Sequence, residues 1–580
     1  MTSLEHKRHT LAHLLAQAVL EKYPDAKLTL GPAVDTGFYY DIDFGTVKIS
    51  DADLPALEDS MRAHLSEWSA FTGETVDANE ARERFSGNEY KTELIDEITG
   101  RGENVTLYTC GGFTDLCRGG HAENPASEIA PDSFKLDRVA GAYWRGDEKN
   151  PMLTRVYGLA FDTKDELDAY LAQREEAKKR DHRKLGKEMG LFIFSELVGP
   201  GLPLWTPKGT LMREALNDFV WELRKARGYQ KVTIPHLTKK NLYEKSGHWS
   251  KYAEDLFRIN TREGTEYAVK PMNCPHHTQI FEAEPRSYRD MPQRYAETTM
   301  VYRDEQSGEL SGLTRVLSIT QDDAHVFCRE NQIEEEVFAI WDIINTFYST
   351  FGFSLTPRLS RHDPEKREKY LGDASVWEKA EQAILDLIKK RGVTDYIDGK
   401  GEAAIYGPKI DFIAKDAIGR THQVATIQLD FNQPANFDLT CTNEQGEKER
   451  VVMIHAAIMG SIERFLAVYI EHVAAVFPTW LSPVQVKVLS VSEKHAVYAR
   501  EVTEALKDAG VRAELDDSNE SLGKKIREGK TSKVPHLLVV GDKEIEAKTV
   551  SVESRDKGKQ DAVSVEDFVM RVVEEIETRS

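Results

Sequence analysis

No run of 18 apolar residues occurs in the 580-residue chain, which excludes an ordinary transmembrane helix. Cysteine is scarce. The five residues Cys110, Cys117, Cys274, Cys328 and Cys441 are odd in number, which argues against a disulfide framework and for a reducing compartment. Positive charge is in deficit: 76 Lys and Arg stand against 97 Asp and Glu, a formal net charge of −21. A polybasic nucleic-acid binder is excluded, so any nucleic-acid partner must meet local basic patches. Internal repeats and low-complexity tracts are missing, which excludes solenoids and tails. The short apolar stretch near the start, residues 11–20, is interrupted by His13 and Gln17 and is expected to be an amphipathic helix rather than a signal peptide. The expectation is a cytoplasmic chain of roughly three to five domains with no membrane contact.

What is present divides by composition. Residues 1–160 mix helical spacing (Leu11, Leu14, Leu15, Ala18) with a strand at residues 37–44. Residues 161–190 include a charged stretch from Asp165 to Lys184 without Gly or Pro, read as one solvated linker helix. Residues 191–481 carry Gly/Pro-punctuated strands and two helices, expected near 208–227 and 365–391. Residues 482–580 alternate strand and helix, which predicts a small α/β domain with a mainly parallel sheet. Its window 524–533 holds Lys524, Lys525, Arg527, Lys530 and Lys533 against Glu528 alone, the one strongly basic stretch there.

Three constellations carry chemistry. His9 and His13 lie one helical turn apart, and Cys117 with His121 repeats that spacing. Two such pairs suit a tetrahedral metal site, a metal-free hydrolytic pocket, or simply histidines satisfied in a core. Cys274, His325 and His455 are far apart in sequence, and three ligands without a fourth would leave a metal position open. Arg303 ends a strand read at 298–302, before a polar loop and a return strand from Leu313. Arg464 lies where an apolar strand (451–454) passes into a helix (461–476). Two permanently charged forks on an antiparallel platform suit a nucleoside triphosphate, against the ordinary alternative of surface ion pairs. Two look-alikes fail. Gly523 to Thr531 has five residues where a phosphate-binding loop needs four. Lys530-Thr531-Ser532-Lys533 has no His-x-Gly-His companion.

Six strings together resemble the threonyl-tRNA synthetase family, bacterial type, of the class II aminoacyl-tRNA synthetases. They are His9-Thr-Leu-Ala-His13, Gly141-Ala-Tyr-Trp-Arg-Gly-Asp147, Lys270-Pro-Met-Asn-Cys-Pro275, the stretch from Thr320 to Cys328, Tyr406-Gly-Pro-Lys-Ile-Asp411, and Val452-Met-Ile-His455 with Gly460-Ser-Ile-Glu-Arg464. The resemblance covers nearly the whole chain. It implies a multidomain α+β and α/β protein: an α+β editing domain (1–160), a helical linker (161–190), a class II catalytic domain on an antiparallel sheet (191–481) and an α/β anticodon-binding domain (482–580).

The implied activity is ATP-dependent attachment of L-threonine to tRNA(Thr) through a threonyl-adenylate, with hydrolysis of mischarged seryl-tRNA(Thr). Cys274, His325 and His455 are implied ligands of one Zn2+ per subunit, and Asp323 accepts the threonine hydroxyl. Arg303 and Arg464 resemble the arginines that contact the α- and γ-phosphates, with Mg2+ bound alongside ATP. Glu305 is expected to read the adenine edge, and Arg315, Gln321, Tyr406, Lys409 and Gln428 to border the substrates. His9, His13, Lys91, Asp115, Cys117 and His121 resemble the editing pocket, with Tyr40 nearby; the resemblance favours a metal-free pocket. Asn519, Arg527 and Glu544 match anticodon-contacting positions, whereas Ser521, Lys533 and Glu553 depart from the basic residues common in relatives. Pro235 resembles the first class II motif, which implies a homodimer. Many relatives begin with a ubiquitin-like domain of about 60 residues; here it is expected to be missing. Leu317-Ser318-Ile319 replaces a common Arg-Gly-Phe, so one cavity arginine is expected to be absent. Two other readings, a non-catalytic tRNA-binding paralogue and a freestanding editing hydrolase, fit poorly with intact zinc-ligand and arginine positions and with the long catalytic segment.

Overall fold

The computed structural model describes residues 3–579. The chain divides into two compact units at Glu175/Glu176.

In the first unit, helix α1 (Ser3–Lys22) packs on strand β1 (Gly37–Asp43) and on the helix Leu54–Leu65. The expected amphipathic helix is buried on more sides than one, because Ala12, Ala16 and Ala18 are small enough to let neighbours close over it. A three-stranded sheet follows from β2 (Thr72–Val76), β3 (Val105–Cys110) and β4 (Phe113–Leu116), with α2 (Glu89–Gly100) preceding β3. Strands β5 (Phe134–Tyr143) and β6 (Met152–Ala160) extend the sheet of β1. The linker is not one helix. It runs as α3 (Lys164–Arg180), then α4 (His182–Glu188), because the Asp181 side chain accepts from Arg183 N and starts a new helix.

The second unit is built on an eight-stranded sheet. Its strands are β7 (Gln230–Lys231), β8 (Gln293–Tyr302), β9 (Ser318–Cys328), β10 (Ser354–Arg361), β11 (Ile397–Lys400), β12 (Lys409–Lys415), β13 (Thr421–Asp430) and β14 (Val452–Ala457), in the order β7-β8-β9-β14-β13-β12-β10-β11. All pairs are antiparallel except the two at the sheet's ends. The last strand made, β14, sits in the middle, with Val452–Ala456 wholly buried. Helices α5 (Pro207–Lys225), α6 (Cys274–Glu282), α7 (Ile333–Thr350) and α8 (Ala374–Lys390) accompany the sheet. Helix α8 starts later than expected, since Gly372 at φ +76° breaks the chain and Asp373 stands at the N-cap. Past β8, the return strand also starts late, at Ser318, so residues 303–317 form a long loop. Helix α9 (Ile462–His472) follows β14.

The C-terminal part of this unit has β15 (Val486–Ser490) parallel to both β16 (Ala513–Asp516) and β17 (His536–Val540), with β18 (Thr549–Ser554) antiparallel at the side. Helices α10 (Ala496–Asp508), α11 (Leu522–Thr531) and α12 (Val565–Glu577) accompany these strands, and a short helix, Asp542–Ala547, lies between β17 and β18.

Candidate active sites

Strand alternation and register assemble the first site. On β9, Gln321, Asp323 and His325 are two apart and share a face. His325 stands opposite His455 on β14, His455 opposite Gln428 on β13, and Gln428 opposite Lys409 on β12. Four strands therefore place one row of side chains across the sheet. That row lines a cavity of about 620 Å³, together with Cys274, Arg303, Glu305, Arg315, Gln321, Asp323, Tyr406 and Arg464. All twelve residues expected around the substrates and the zinc thus border one space.

Cys274, His325 and His455 bring one ligand atom each to within 4.8 Å of the others. Each histidine has its second nitrogen engaged. His325 Nδ1 is 2.7 Å from His277 Nδ1, and His455 Nε2 is 2.9 Å from Asp430 Oδ2. Such outer hydrogen bonds are what orient metal-binding imidazoles. Burial pushes the Cys274 thiol up and the His325 imidazole well down. The donor set, one sulfur and two imidazoles, fits zinc with a position left open. Asn273 Nδ2 donates to Asp323 Oδ2 at 3.1 Å, and burial raises the Asp323 carboxyl to about 6. His248 Nε2 lies 3.8 Å from Cys274 Sγ. Sequence reading missed His248, His277 and Asp430: His248 and Asp430 are brought to the cluster only by the fold, whereas His277 follows Cys274 by three residues on α6, a helical spacing that could have found it.

The two arginines differ from ordinary surface arginines. Among the described residues neither Arg303 nor Arg464 has an acidic partner within 4 Å. Ser461 caps α9 by accepting from Arg464 N, which sets Arg464 on the helix's first turn. Arg315, by contrast, pairs with Glu305 at 2.5 Å and Glu309 at 3.0 Å, so the carboxylate expected at the adenine edge is engaged by a neighbour. Lys409 pairs with Asp411 at 2.8 Å. In the departing stretch, Leu317 bonds Gly201 and Arg303 through its backbone, and Ile319 adds an apolar wall to the cavity.

The second site lies in the first unit, where all six expected residues and Tyr40 converge. Lys91 Nζ is 2.5 Å from Asp115 Oδ1, and the Tyr40 hydroxyl donates to Asp115 Oδ2 at 2.6 Å. His13 Nδ1 lies 3.1 Å from Asp115 Oδ2, and His13 Nε2 is 3.2 Å from His9 Nε2. His9 Nδ1 faces the Gly120 carbonyl at 3.1 Å, which can only accept, so neutral His9 presents Nε2 as an acceptor. Cys117 Sγ is 3.4 Å from His9 Nε2 and 3.3 Å from His121 Nε2. Phe71 stacks on the His121 ring at 3.8 Å.

Charge alternates along this chain of contacts. Burial opposes ionisation of Asp115, but Lys91 and His13 outweigh it and hold the carboxyl well below its usual range. Burial likewise opposes the His13 imidazolium, yet Asp115 and Cys117 push it up to about 9. Burial disfavours the Cys117 thiolate, but the hydrogen bond from His121 and the charged His13 ring bring it down to about 3. A thiol already ionised at pH 5 gains no thiolate as pH rises. Alkylation of Cys117 by iodoacetamide is therefore expected to be flat between about pH 5 and 8, where an ordinary thiol speeds up about tenfold per unit. The other four cysteines are buried and should stay unmodified; mass spectrometry of the tryptic peptides reads both.

The expected RNA-binding groups are placed unevenly. Asn519 and Arg527 are exposed. Glu544 accepts from Gly541 N and from the Ser551 hydroxyl, capping its own helix. The basic window is only partly free. Lys525 is fully buried, its ammonium on the Ser490 and Asp516 carbonyls at 2.9 and 3.1 Å. Lys524 pairs with Glu520, Lys530 with Glu553, and Lys533 donates to the Ala474 carbonyl. Helical spacing turned Lys525 inward, and composition alone does not show that.

Comparison with known proteins gives three family matches. Residues 257–473 match the tRNA synthetase class II core domain (G, H, P, S and T), 485–575 match an anticodon binding domain, and 105–157 match the threonyl and alanyl tRNA synthetase second additional domain. The chain is 48% identical over 573 residues to a threonine–tRNA ligase of Phocaeicola vulgatus, covering 98% of this chain and 88% of that one. A threonine–tRNA ligase of Rubrobacter xylanophilus is 49% identical over 575 residues, covering 99% and 89%. Among solved structures, the RNA binding domain of threonyl-tRNA synthetase from Cryptosporidium parvum is similar, with a TM-score of 0.65 and 38% identity over 68% of this chain and 98% of that one. A putative threonyl-tRNA synthetase from Aeropyrum pernix gives a TM-score of 0.62 at 28% identity, covering 69% and 97%.

Proposed function

This chain belongs to the threonine–tRNA ligases, and from that premise we propose that the cavity of the second unit joins L-threonine to ATP as threonyl-adenylate and then to tRNA(Thr). We assign hydrolysis of mischarged seryl-tRNA(Thr) to the first unit. The observation that carries the reading is the meeting, in one cavity, of two arginines without acidic partners and a Cys–His–His cluster with its outer hydrogen bonds in place.

Arg303, at the end of β8, holds the α-phosphate as the threonine carboxylate attacks it. Arg464, at the start of α9, holds the γ-phosphate. Neither must give up an acidic partner first, so both donate in full to charge developing on phosphorus. Magnesium accompanies ATP. Cys274, His325 and His455 would hold zinc, which when bound supplies a Lewis acid with a position open to the amino and hydroxyl groups of threonine. Asp323, steadied by Asn273, accepts from that hydroxyl. An apolar pocket separates near-isosteres such as threonine and valine by only about 100-fold, whereas a site built to bond a hydroxyl reaches about 10⁴–10⁵. Serine also has the hydroxyl, so a second sieve is required. In the first unit, His9, His13 and Cys117 position a water against the ester, and Lys91 holds Asp115 ionised beneath them.

A homodimer suits the exposed apolar side chains Ile193, Phe194, Leu197, Leu237 and Met300. No described helix is long and apolar enough to cross a membrane. Free thiols at all five cysteines suit the cytoplasm.

ATP–pyrophosphate exchange tests the reading. Exchange is expected with threonine, more weakly with serine, and not with valine. A folded, metal-loaded protein that exchanges with none of them would instead be a tRNA-binding paralogue.

A further inference from the structure

The linker carries a histidine whose contacts reach the cavity's edge. His182 opens α4 and is 4% exposed. Its Nδ1 is 2.7 Å from Glu471 Oε1, and its backbone N donates to the same oxygen at 3.1 Å. Its Nε2 is 3.0 Å from Leu313 N. A backbone amide only donates, so Nε2 is the acceptor and the ring proton sits on Nδ1, donated to Glu471. Both ring nitrogens are engaged, which leaves no open ligand in the Asp181–His182–Glu471 cluster for a metal.

The two partners belong to two different walls of the cavity. Leu313 is fully buried in the loop between β8 and β9, and the next residues, Thr314, Arg315 and Val316, line the cavity. Glu471 lies on α9, the helix that carries Arg464 in its first turn, and is 2.6 Å from Arg420 on its other oxygen. Arg180 donates to the His472 carbonyl at the end of α9. Gly312, at φ +50°, sits so close to the ring that a Cβ there would lie 2.3 Å from His182 Nε2. The loop is thus fitted to this imidazole and not merely adjacent to it.

We propose that His182 is a positioning residue for ATP: it fixes the loop carrying Arg315 against the helix carrying Arg464. The inference rests on the ATP role assigned to the cavity, and wild-type exchange with threonine tests that role separately. A loop loosened at Leu313 shifts groups facing the nucleotide, not the zinc cluster on β9, β14 and α6. Misplacement by about 1 Å costs about 100-fold in rate at worst.

In the full-length zinc-loaded protein, His182→Ala is expected to raise the KM for ATP in pyrophosphate exchange by about tenfold and to leave the KM for threonine within about twofold. His182→Gln, which keeps an acceptor for Leu313 N, should recover most of the loss. Gly312→Ala, pressing a methyl into the ring from the loop side with His182 intact, should give the same split and serves if the alanine variant folds poorly. The proposal is overturned if both KM values stay at wild type, whether or not kcat falls with the folded fraction. It is equally overturned if both KM values rise together, or if the glutamine variant is as impaired as alanine.

Discussion

Replacing Arg464 by alanine is expected to lower threonine-dependent ATP–pyrophosphate exchange by about 10²–10³-fold while leaving seryl-tRNA(Thr) hydrolysis at the wild-type rate. The size follows from the guanidinium's surroundings. Among the described residues no acidic side chain within 4 Å offsets it, so its whole charge is available to the triphosphate. Removing it leaves developing charge facing only the cavity wall. Arg303→Ala should act alike, since it too has no acidic partner. The hydrolytic groups lie in the other compact unit and share no residue with this cavity. Equal loss of both activities would show that the two chemistries are not assigned to separate sites as proposed here. Arg315→Ala is a useful contrast: its charge is already shared by Glu305 and Glu309, so its loss should cost less.

The second large effect concerns the metal. Chelation of zinc, or Cys274→Ala, is expected to lower threonine activation and to reduce the threonine-to-valine ratio in exchange from about 10⁴–10⁵ toward about 10². The cause is the donor set. With the sulfur gone, two imidazoles held by His277 and Asp430 remain, too few to retain the ion. What is left is a cavity that distinguishes the two amino acids mainly by Asp323. Metal analysis should show one zinc per subunit in wild type and far less in the variant. An undiminished ratio in a folded, zinc-free protein would sink the idea that the metal reads the hydroxyl.

Much of this arrangement was legible in the chain before any coordinates, and the reason is local. His9 and His13 on α1, and the alternating Gln321, Asp323 and His325 on β9, sit on regular elements whose period dictates which side chains share a face, whereas Cys117 and His121 lie in the loop after β4. What spacing alone does not give is set by pairing across distance, and for the row in the cavity only the family resemblance supplied it. The row from His325 to Lys409 depends on the register of four strands, and no single segment contains it. The split of the linker at Asp181 turned on one side chain capping a new helix. Lys525 counts by composition toward a basic window, yet the carbonyls of Ser490 and Asp516 satisfy its ammonium inside the domain. His182 looked like one more polar residue in a charged stretch; its two partners are about 130 and 290 residues away.

The place of β14 has a consequence for the chain as it is being made. This strand, Val452–Ala457, inserts between β9 and β13 and pairs with both. Until it leaves the ribosome, two older strands face each other across an unfilled slot, each with a bare hydrogen-bonding edge. At about 5–20 residues per second, the wait between synthesis of Asp430, the end of β13, and of Ala457, the end of β14, is roughly 1–5 s. Premature termination inside that interval yields not a smaller enzyme but a sheet missing its middle, the kind of exposed edge that chaperones hold and proteases clear. Stop codons placed just before and just after residues 452–472 should therefore separate an aggregating product from a soluble one.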